Sequence, residues 1–173
     1  MAFLKNKHIS LRALEKEDLP YLYNLENKES AREYGSSLMP HSKYVIKDFI
    51  KNADKDIFMT GQLRFVIEHN ESCEAIGMVD IFNFSSHHQR AEVGIWIDEE
   101  HRRNGFAQEA LESLRTFAFD TLLIKQLFCH VNTQNIPSIT LFKNAGFAEI
   151  GILKAWIRTK SGFQDVSVLQ LIK

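Results

Sequence analysis

A strand, a short polar loop and the start of a helix follow one another between Ala91 and Ala110. The loop carries the pattern Arg-x-x-Gly-x-Ala, formed by Arg102, Gly105 and Ala107. A loop of this kind turns backbone N–H groups outward at the N-terminus of a helix, where the helix dipole also favours negative charge. The segment therefore predicts a pyrophosphate site at the junction between a sheet and a helix.

The hydrophobic periodicity of the rest of the chain predicts a mixed sheet flanked by helices. Apolar runs or alternating apolar residues predict strands at 8–12, 63–68, 75–82, 91–97, 126–131, 147–156 and 164–172. Apolar residues at helical spacing predict helices at 19–25, 44–50, 104–121 and 138–144. The order β-α-α-β-β-β-α-β-α-β-β departs from the regular alternation of a doubly wound sheet.

Composition restricts the domain count, the partners and the compartment. The 173 residues fit one domain, which we expect to span residues 1–173. A formal net charge of -1 does not suggest the basic face that nucleic-acid binding needs, and no apolar run approaches membrane-spanning length. The N-terminus lacks the apolar segment of a signal peptide, and the two cysteines lack a CxxC frame. We therefore expect a cytoplasmic protein with no nucleic-acid or membrane partner and, because its histidines lack metal-ligand spacing, no metal site.

The central loop also restricts the class of phosphate ligand. It lacks the Gly-Lys-Ser/Thr of a nucleotide P-loop and the G-x-G-x-x-G of a dinucleotide-binding fold. The loop therefore lacks the residues that define a nucleotide site or a dinucleotide site. Coenzyme A is the third alternative.

Several motifs, in order along the chain, resemble the GNAT family of acyl-CoA N-acyltransferases. The Arg102 loop matches the family's (Gln/Arg)-x-x-Gly-x-(Gly/Ala), residues 91–97 are similar to its fourth strand, and residues 132–147 are similar to its fifth strand exit and following helix. Residues 10–19 are similar to the start of the RimJ/RimL-like and spermidine acetyltransferase branch. The resemblance covers nearly the whole chain. It implies an α/β (α+β) fold whose central mixed, mostly antiparallel sheet is flanked by helices and splayed at the strand pair that holds the cofactor.

The resemblance also implies where acetyl-CoA, the co-substrate, binds. Loop N–H groups hold the pyrophosphate, the strand before the loop pairs with pantetheine through its main chain, and residues beyond the splay form the other wall. The implied cofactor-binding residues are Ile95, Trp96, Ile97, Arg102, Arg103, Asn104, Gly105, Phe106, Ala107, Gln108, Asn132, Asn135 and Phe142.

Structural explanations exist for the same residues. Arg102 and Arg103 also fit a solvated pair, although two cations at the positive end of a helix dipole cost about 0.3–1 kcal/mol. The strand residues also fit a plain core strand, and Asn132 and Asn135 also fit turn positions.

Acetyl transfer to an amine needs a group that accepts the amine proton, a donor to the oxyanion and an acid for the departing thiolate. The resemblance aligns Glu92 with the strand glutamate that serves as base in some relatives, and we expect it to act through water. A sheet-face carboxylate paired with Arg90 or another cation is the structural alternative. Many family members carry a tyrosine acid where this chain has Phe142, which has no proton to donate. Either the thiolate leaves unaided or another group, with Ser138 as the candidate, replaces the phenol.

The sequence is compatible with two classes of acceptor amine. In the family, the region from Leu19 to Ile50 and the final hairpin build the acceptor cleft. A polyamine favours several carboxylates there, whereas a protein N-terminus favours an open groove near Gly162. Charged side chains of both signs occupy the first region: Glu26, Glu29, Glu33 and Asp48 alternate with Lys28, Arg32, Lys43 and Lys47.

Three functions therefore follow from the sequence. The leading hypothesis is an acetyl-CoA-dependent N-acetyltransferase of RimJ/RimL-like type that acts on a primary amine. The second is a polyamine or small-amine acetyltransferase, and the third is a non-catalytic domain that binds or senses acyl-CoA. Sheet edges of this fold often pair between subunits, which makes a homodimer compatible with each of them.

Overall fold

The computed structural model describes residues 2–29, 39–159 and 161–173. In these ranges eight strands form one sheet in the order β1-β2-β3-β4-β5-β6-β8-β7. The strands are β1 (Ala2–Lys5), β2 (Ile9–Ala13), β3 (Leu63–His69), β4 (Ala75–Ser85), β5 (Arg90–Ile97), β6 (Gln126–Asn132), β7 (Ala148–Thr159) and β8 (Gly162–Ile172). The α-helices are α1 (Leu19–Asn27), α2 (Lys43–Lys51), α3 (Ile57–Thr60), α4 (Phe106–Thr116) and α5 (Ile136–Asn144).

The sheet is mixed but mostly antiparallel, which confirms the predicted fold class. Strands β5 and β6 form the parallel pair, and each of the other neighbouring pairs in the described sheet is antiparallel. A parallel pair needs a crossover connection, and here α4 provides it. The predicted hairpin corresponds to β3 and β4, although β4 continues past residue 82 to Ser85 through an irregularity in its pairing with β5.

Helices cover both faces of the sheet. Along β5, Val93 and Ile97 point into a core shared with Leu111 and Leu114 of α4. Side chains alternate between faces along a strand, so Trp96 points to the opposite side. There it packs against a second core that α1 and α2 build with β3 and β4. The two faces thus carry different helices, and β5 contributes to both cores.

Strands β5 and β6 separate shortly after they begin to pair. Their register covers three residue pairs, from Arg90 opposite Gln126 to Glu92 opposite Phe128. Beyond Glu92, β5 continues to Ile97 paired with β4 alone. β6 continues to Asn132 paired with β8. The sheet therefore opens into a gap between these two strands, as the splayed strand pair was predicted to do.

The elements that the periodicity missed are short ones stabilised by distant contacts. β1 has four residues, and Phe3 packs its ring against Phe65 and Phe117 at centroid distances of 5.5 and 5.3 Å. The predicted helix at 104–121 begins two residues later, because Gly105 adopts a left-handed φ of 83°, and residues 117–121 form a π-helical turn. The last two strands are longer than predicted, since their pairing runs to Thr159 and Gly162.

Gly77 of β4 lies in close contact with the backbone of β5, and a substitution there tests the packing of the two strands. A Cβ built at Gly77 would lie 2.3 Å from the Trp96 carbonyl oxygen and 2.9 Å from Ile97 Cδ1. We expect Gly77→Ala to lower the free energy of unfolding by about 1–3 kcal/mol because backbone or core atoms must shift. Urea denaturation followed by circular dichroism measures the change.

Gly151 of β7 provides the matched control. A Cβ added there meets no atom within 4 Å, and its φ is not in the left-handed region. Gly151→Ala should change the free energy of unfolding by less than about 0.5 kcal/mol. Equal effects of the two substitutions would show that the close contact between β4 and β5 does not govern stability.

Candidate functional site

The loop before α4 presents backbone amides at an uncapped helix start. Gly105 is the N-cap residue, and no side chain accepts a hydrogen bond there. Arg103 and Gly105 both have left-handed φ values, of 66° and 83°. The first-turn amides of a helix have no intrahelical acceptor, and the dipole adds positive potential at the same point. The predicted loop residues 102–108 thus lie together at a site suited to an anion.

Arg102 is anchored rather than freely solvated. Its Nε donates a hydrogen bond to the Ile97 carbonyl oxygen at 2.9 Å, and its guanidinium lies 5.0 Å from the centre of the Trp96 ring. Arg103 remains exposed beside the loop. The guanidinium of Arg102 is therefore held across the end of β5, where it joins the strand to the loop.

Asp98 connects this end of β5 to helix α1. Its carboxylate accepts hydrogen bonds from Tyr21 Oη at 2.7 Å, Lys28 Nζ at 3.1 Å and Trp96 Nε1 at 3.3 Å. Burial acts to raise the pKa of Asp98, but these donors outweigh it and hold that pKa below its ordinary value. Burial raises the pKa of Tyr21, and the hydrogen bond to the Asp98 carboxylate raises that pKa further. The Trp96 ring is thus held by its hydrogen bond to Asp98 and by the guanidinium of Arg102 that stacks on it.

The backbone N–H and C=O groups of alternate residues in β5 point toward the gap. The Asp98 amide donates to the Ile76 carbonyl oxygen at 2.9 Å, so every second residue back along β5 faces β4. Trp96 belongs to that set. Ile95 and Ile97 belong to the other set, and their amide and carbonyl groups point toward the gap. Of the three predicted pantetheine contacts, these two have the backbone orientation that added-strand pairing requires.

The asparagines on the far side of the gap already make hydrogen bonds within the protein. Asn132 is buried, donates to Gln164, and accepts from the Gln134 amide at 2.8 Å. Asn135 caps α5, because its side-chain oxygen accepts the Ser138 amide at 3.2 Å. Both asparagines therefore shape the turn between β6 and α5, and their contact with a cofactor stays a prediction.

Phe142 lies in the core rather than on the surface of the gap. Its side chain is 3% exposed, and its ring packs edge-on against Phe147 at a centroid distance of 5.2 Å. Any contact with a cofactor is limited to that small exposed part. Ser138, the candidate acid, lies half-buried in the first turn of α5.

Glu92 lies at the closed end of the gap, and both of its carboxylate oxygens have partners. Oε2 accepts a hydrogen bond from Asn83 Nδ2 at 2.7 Å, and Oε1 lies 2.6 Å from His130 Nδ1. The residue is 8% exposed. Of the partners considered for a structural carboxylate, Glu92 pairs with His130 rather than with Arg90.

His130 and Asn83 are functional candidates that the sequence argument missed. His130 lies on β6 two residues beyond Phe128, the partner of Glu92, and therefore on the same sheet face. Asn83 lies at the irregularity of β4 with a left-handed φ of 49°. The left-handed preference of asparagine was a weak signal for Asn83. Nothing local identifies His130, because its contact depends on the register of β5 with β6.

Cys129, next to His130 in sequence, points to the opposite face. Its side chain lies in the core on the α4 side. Burial, and then the charge of Glu92, raise the pKa of this thiol. Cys129 is therefore a neutral core residue, and the charge of Glu92 acts on it from the opposite face of the sheet.

A cavity of about 580 Å³ lies between α1 and the segment that follows β5. It is lined by Tyr21, Asn24, Leu25, Lys28, Asp98, Glu99 and Glu100. Nearby, Arg64 pairs with both Glu26 and Asp80, so one guanidinium offsets part of the charge of those two carboxylates. Arg32 and Glu33, considered above for the acceptor region, lie outside the described residues.

Neither a membrane helix nor a metal cluster is found in the described ranges. No helix there has the length and apolar character needed to span a bilayer. The same residues contain no group of three or more His, Cys, Asp or Glu side chains that could hold a metal ion.

Comparison with known proteins agrees with this geometry. Residues 8–148 match the acetyltransferase (GNAT) domain. Spermidine N(1)-acetyltransferase of Vibrio cholerae is 28% identical over 168 residues, which cover 97% of this chain and 95% of that protein. The Escherichia coli K12 enzyme of the same name is 31% identical over 146 residues, which cover 84% and 75%.

Solved structures give the same result. The structure of the Vibrio cholerae spermidine N-acetyltransferase in complex with CoA and spermine superposes with a TM-score of 0.87 at 27% identity, covering 96% of each chain. Another structure of that enzyme, described as dodecameric, gives a TM-score of 0.79 at 27% identity and covers 96% of this chain and 95% of that one.

The conformation of Gly105 allows the loop to be tested without removing any side chain. A Cβ at Gly105 meets no atom within 4 Å, but its φ of 83° costs an L-residue about 1–2 kcal/mol. We expect Gly105→Ala to weaken the binding of coenzyme A about 5- to 30-fold by calorimetry, because the amides lose their preferred arrangement.

Gly61 is a matched control for that substitution. It also has a left-handed φ, of 70°, and open space, but it caps α3. Gly61→Ala should cost comparable stability and leave coenzyme A affinity unchanged. Unaltered affinity in Gly105→Ala would exclude the loop as the anion site.

Proposed function

The chain belongs to the GNAT family of acetyltransferases, and on that premise we propose that it transfers the acetyl group of acetyl-CoA to a primary amine of a polyamine. Transfer of acetyl from CoA to an amine is the activity of the family. The choice of a polyamine as acceptor is the finer step. It is supported by the two spermidine acetyltransferases and by the complex that contains both CoA and spermine.

The observation that carries the proposal is the gap that opens beyond Glu92 and leads toward the amides at the start of α4. An extended pantetheine arm placed along β5 could pair with the Ile95 and Ile97 backbone. Its pyrophosphate would then meet loop residues 102–108, with Arg102 and Arg103 adding positive charge. The thioester would lie toward the narrow end of the gap, where Glu92 and Phe128 face each other.

Glu92 is the carboxylate on which the proposed base function of the site depends. It is held in place by Asn83 and His130, and it lies on the α1 and α2 side of the sheet, which the family uses for the acceptor. Holding an amine and a thioester side by side supplies much of the rate in such direct transfers. The acid is not Phe142, which has no proton to donate, and Ser138 stays a candidate for it.

The cavity beside α1, at the Asp98 end of β5, also has features that suit part of a long cationic substrate. The cavity beside α1 is lined by Asp98, Glu99 and Glu100, with Lys28 as its cation. Because Lys28 pairs with Asp98, the two glutamates contribute net negative charge. A polyamine carries several positive charges spaced along one flexible chain, so it gains from such a surface during approach and binding.

An acceptor panel tests the proposal. Thiol release from acetyl-CoA is measured with spermidine, spermine, short diamines, amino acids, and peptides with free N-termini. We expect kcat/KM for spermidine or spermine to exceed that for any peptide by at least about 10-fold, because acidic side chains discriminate by charge. Preference for peptides would instead indicate a RimJ/RimL-like enzyme. Absence of release with every acceptor, despite CoA binding, would contradict catalysis itself.

We also propose that copies of the chain associate through the β7–β8 hairpin. This hairpin forms one edge of the sheet and exposes several large apolar side chains, namely Ile150, Ile152, Trp156 and Phe163. An unpaired edge with exposed apolar residues favours association. The relative described as dodecameric supports self-association.

Light scattering coupled to size-exclusion chromatography measures the oligomeric state. Trp156→Lys should reduce the molar mass toward that of a monomer, because it places a charge in the contact. Met59→Lys is the control, since Met59 is also largely exposed but lies on α3. A monomeric wild-type protein, or equal masses for wild type and Trp156→Lys, would rule out this edge.

A further inference from the structure

His130 has one ring nitrogen committed and one open. Its Nδ1 lies 2.6 Å from Glu92 Oε1, and 29% of its side-chain surface is exposed. A neutral imidazole that donates from Nδ1 keeps its lone pair on Nε2. The carboxylate therefore selects the tautomer whose free nitrogen is basic, as the orienting acid does in a catalytic triad.

Glu92 is less accessible to a substrate than His130. It is 8% exposed, and its two oxygens already serve His130 and Asn83. Asn83 fixes the carboxylate from the β4 side, so the carboxylate is positioned but enclosed. An amine that approaches from the solvent side of the sheet meets the histidine ring first.

The position of His130 in the gap agrees with this role. If the register of β5 with β6 continued past Glu92 and Phe128, His130 would lie opposite Gly94. The strands have diverged at that point, and the ring of Phe82 lies over Gly94. His130 therefore stands on the wall across from β5, just beyond the last paired residues.

We propose that Glu92 acts through His130, whose Nε2 is the atom that exchanges protons with the reacting groups. This rests on the proposed function, in which the thioester lies in the gap between β5 and β6. As the amine nitrogen forms a bond to the thioester carbonyl carbon, its N–H proton moves to Nε2. The C–S bond then breaks, the CoA thiolate takes that proton from Nε2, and the imidazole returns to its neutral form.

The same group thus serves as base and acid, which accounts for the phenylalanine at position 142. No tyrosine is needed if the proton taken from the amine is returned to the sulfur. Glu92 stabilises the imidazolium between the two steps through the short contact to Nδ1. Phe128 packs edge-on against the ring at a centroid distance of 5.7 Å, and Val168 of β8 is the register partner of His130. In the described residues, Glu92 is the titratable side chain that contacts it.

Two substitutions of His130 separate the ring nitrogens. Asparagine places an amide donor near the Nδ1 position and can keep the hydrogen bond to Glu92, but it has no equivalent of Nε2. We expect His130→Asn to lower kcat for the acceptor found in the panel by at least about 100-fold, with the KM for acetyl-CoA within about 2-fold of wild type. His130→Gln should be equally slow, because an amide cannot accept the proton.

The pH profile distinguishes catalysis from structural support. A group that exchanges protons with the substrate contributes an ionisation to the pH profile of kcat. The profile of His130→Asn should therefore lack one ionisation that wild type shows, whereas Glu92→Gln should keep it at a lower kcat because Nε2 remains. The double variant should be no slower than His130→Asn, since both residues act as one unit. His88→Asn, an exposed histidine in the β4–β5 turn, should match wild type.

Thermal melts and coenzyme A affinity confirm that each variant is folded. The variants are also compared in the slow hydrolysis of acetyl-CoA without amine, where Nε2 would take a proton from water. The hydrolysis assay tests the role of His130 even if the wild type acetylates no polyamine. Failure to acetylate a polyamine would contradict only the proposed acceptor. A His130→Asn enzyme within about 3-fold of wild-type kcat, with an unchanged pH profile, would refute the proposal and leave Glu92 as the direct base.

Discussion

The early separation of β5 from β6 is the constraint on which the rest of the structure depends. Three paired residues hold the two halves of the sheet together, and beyond them β5 has a strand partner on one side only. Backbone groups left unpaired inside a protein are costly unless something else satisfies them. One of them, the Ile97 carbonyl, is satisfied by Arg102. The remaining edge is a template for an extended polar ligand, so the proposed cofactor site follows from the loss of sheet pairing.

The same separation assigns different tasks to the two faces of the sheet. The α4 face carries the larger core and, at the helix start, the amides for an anion. The opposite face carries α1, α2 and the polar side chains Glu92 and His130. Asp98 joins the two regions, because it binds Tyr21 and Lys28 of the α1 segment and also Trp96 of β5. Donor and acceptor can thus approach from different sides of one gap.

Local patterns predicted the parts of the fold that local chemistry determines. The loop at Gly105, the long strands and the order of elements follow from periodicity and turn residues. Strand β1 escaped detection, because its four residues are held by aromatic contacts far along the chain. The candidate site divides in the same way. Gly105 and Glu92 were identified within motifs, whereas Arg102 stacking on Trp96 and the contact between Glu92 and His130 depend on where the strands diverge.

Phe142 shows how core packing and catalytic chemistry compete for one position. The resemblance placed it where relatives carry a phenol, and the sequence therefore indicated a missing acid. In the structure the ring fills core space against Phe147, so packing has taken over a position that chemistry uses elsewhere. A hydroxyl added there would gain little, because so little of the ring reaches the surface. Proton transfer must then rely on groups that are both polar and accessible at the narrow end of the gap. The partly open ring of His130, oriented by a buried carboxylate, meets both conditions.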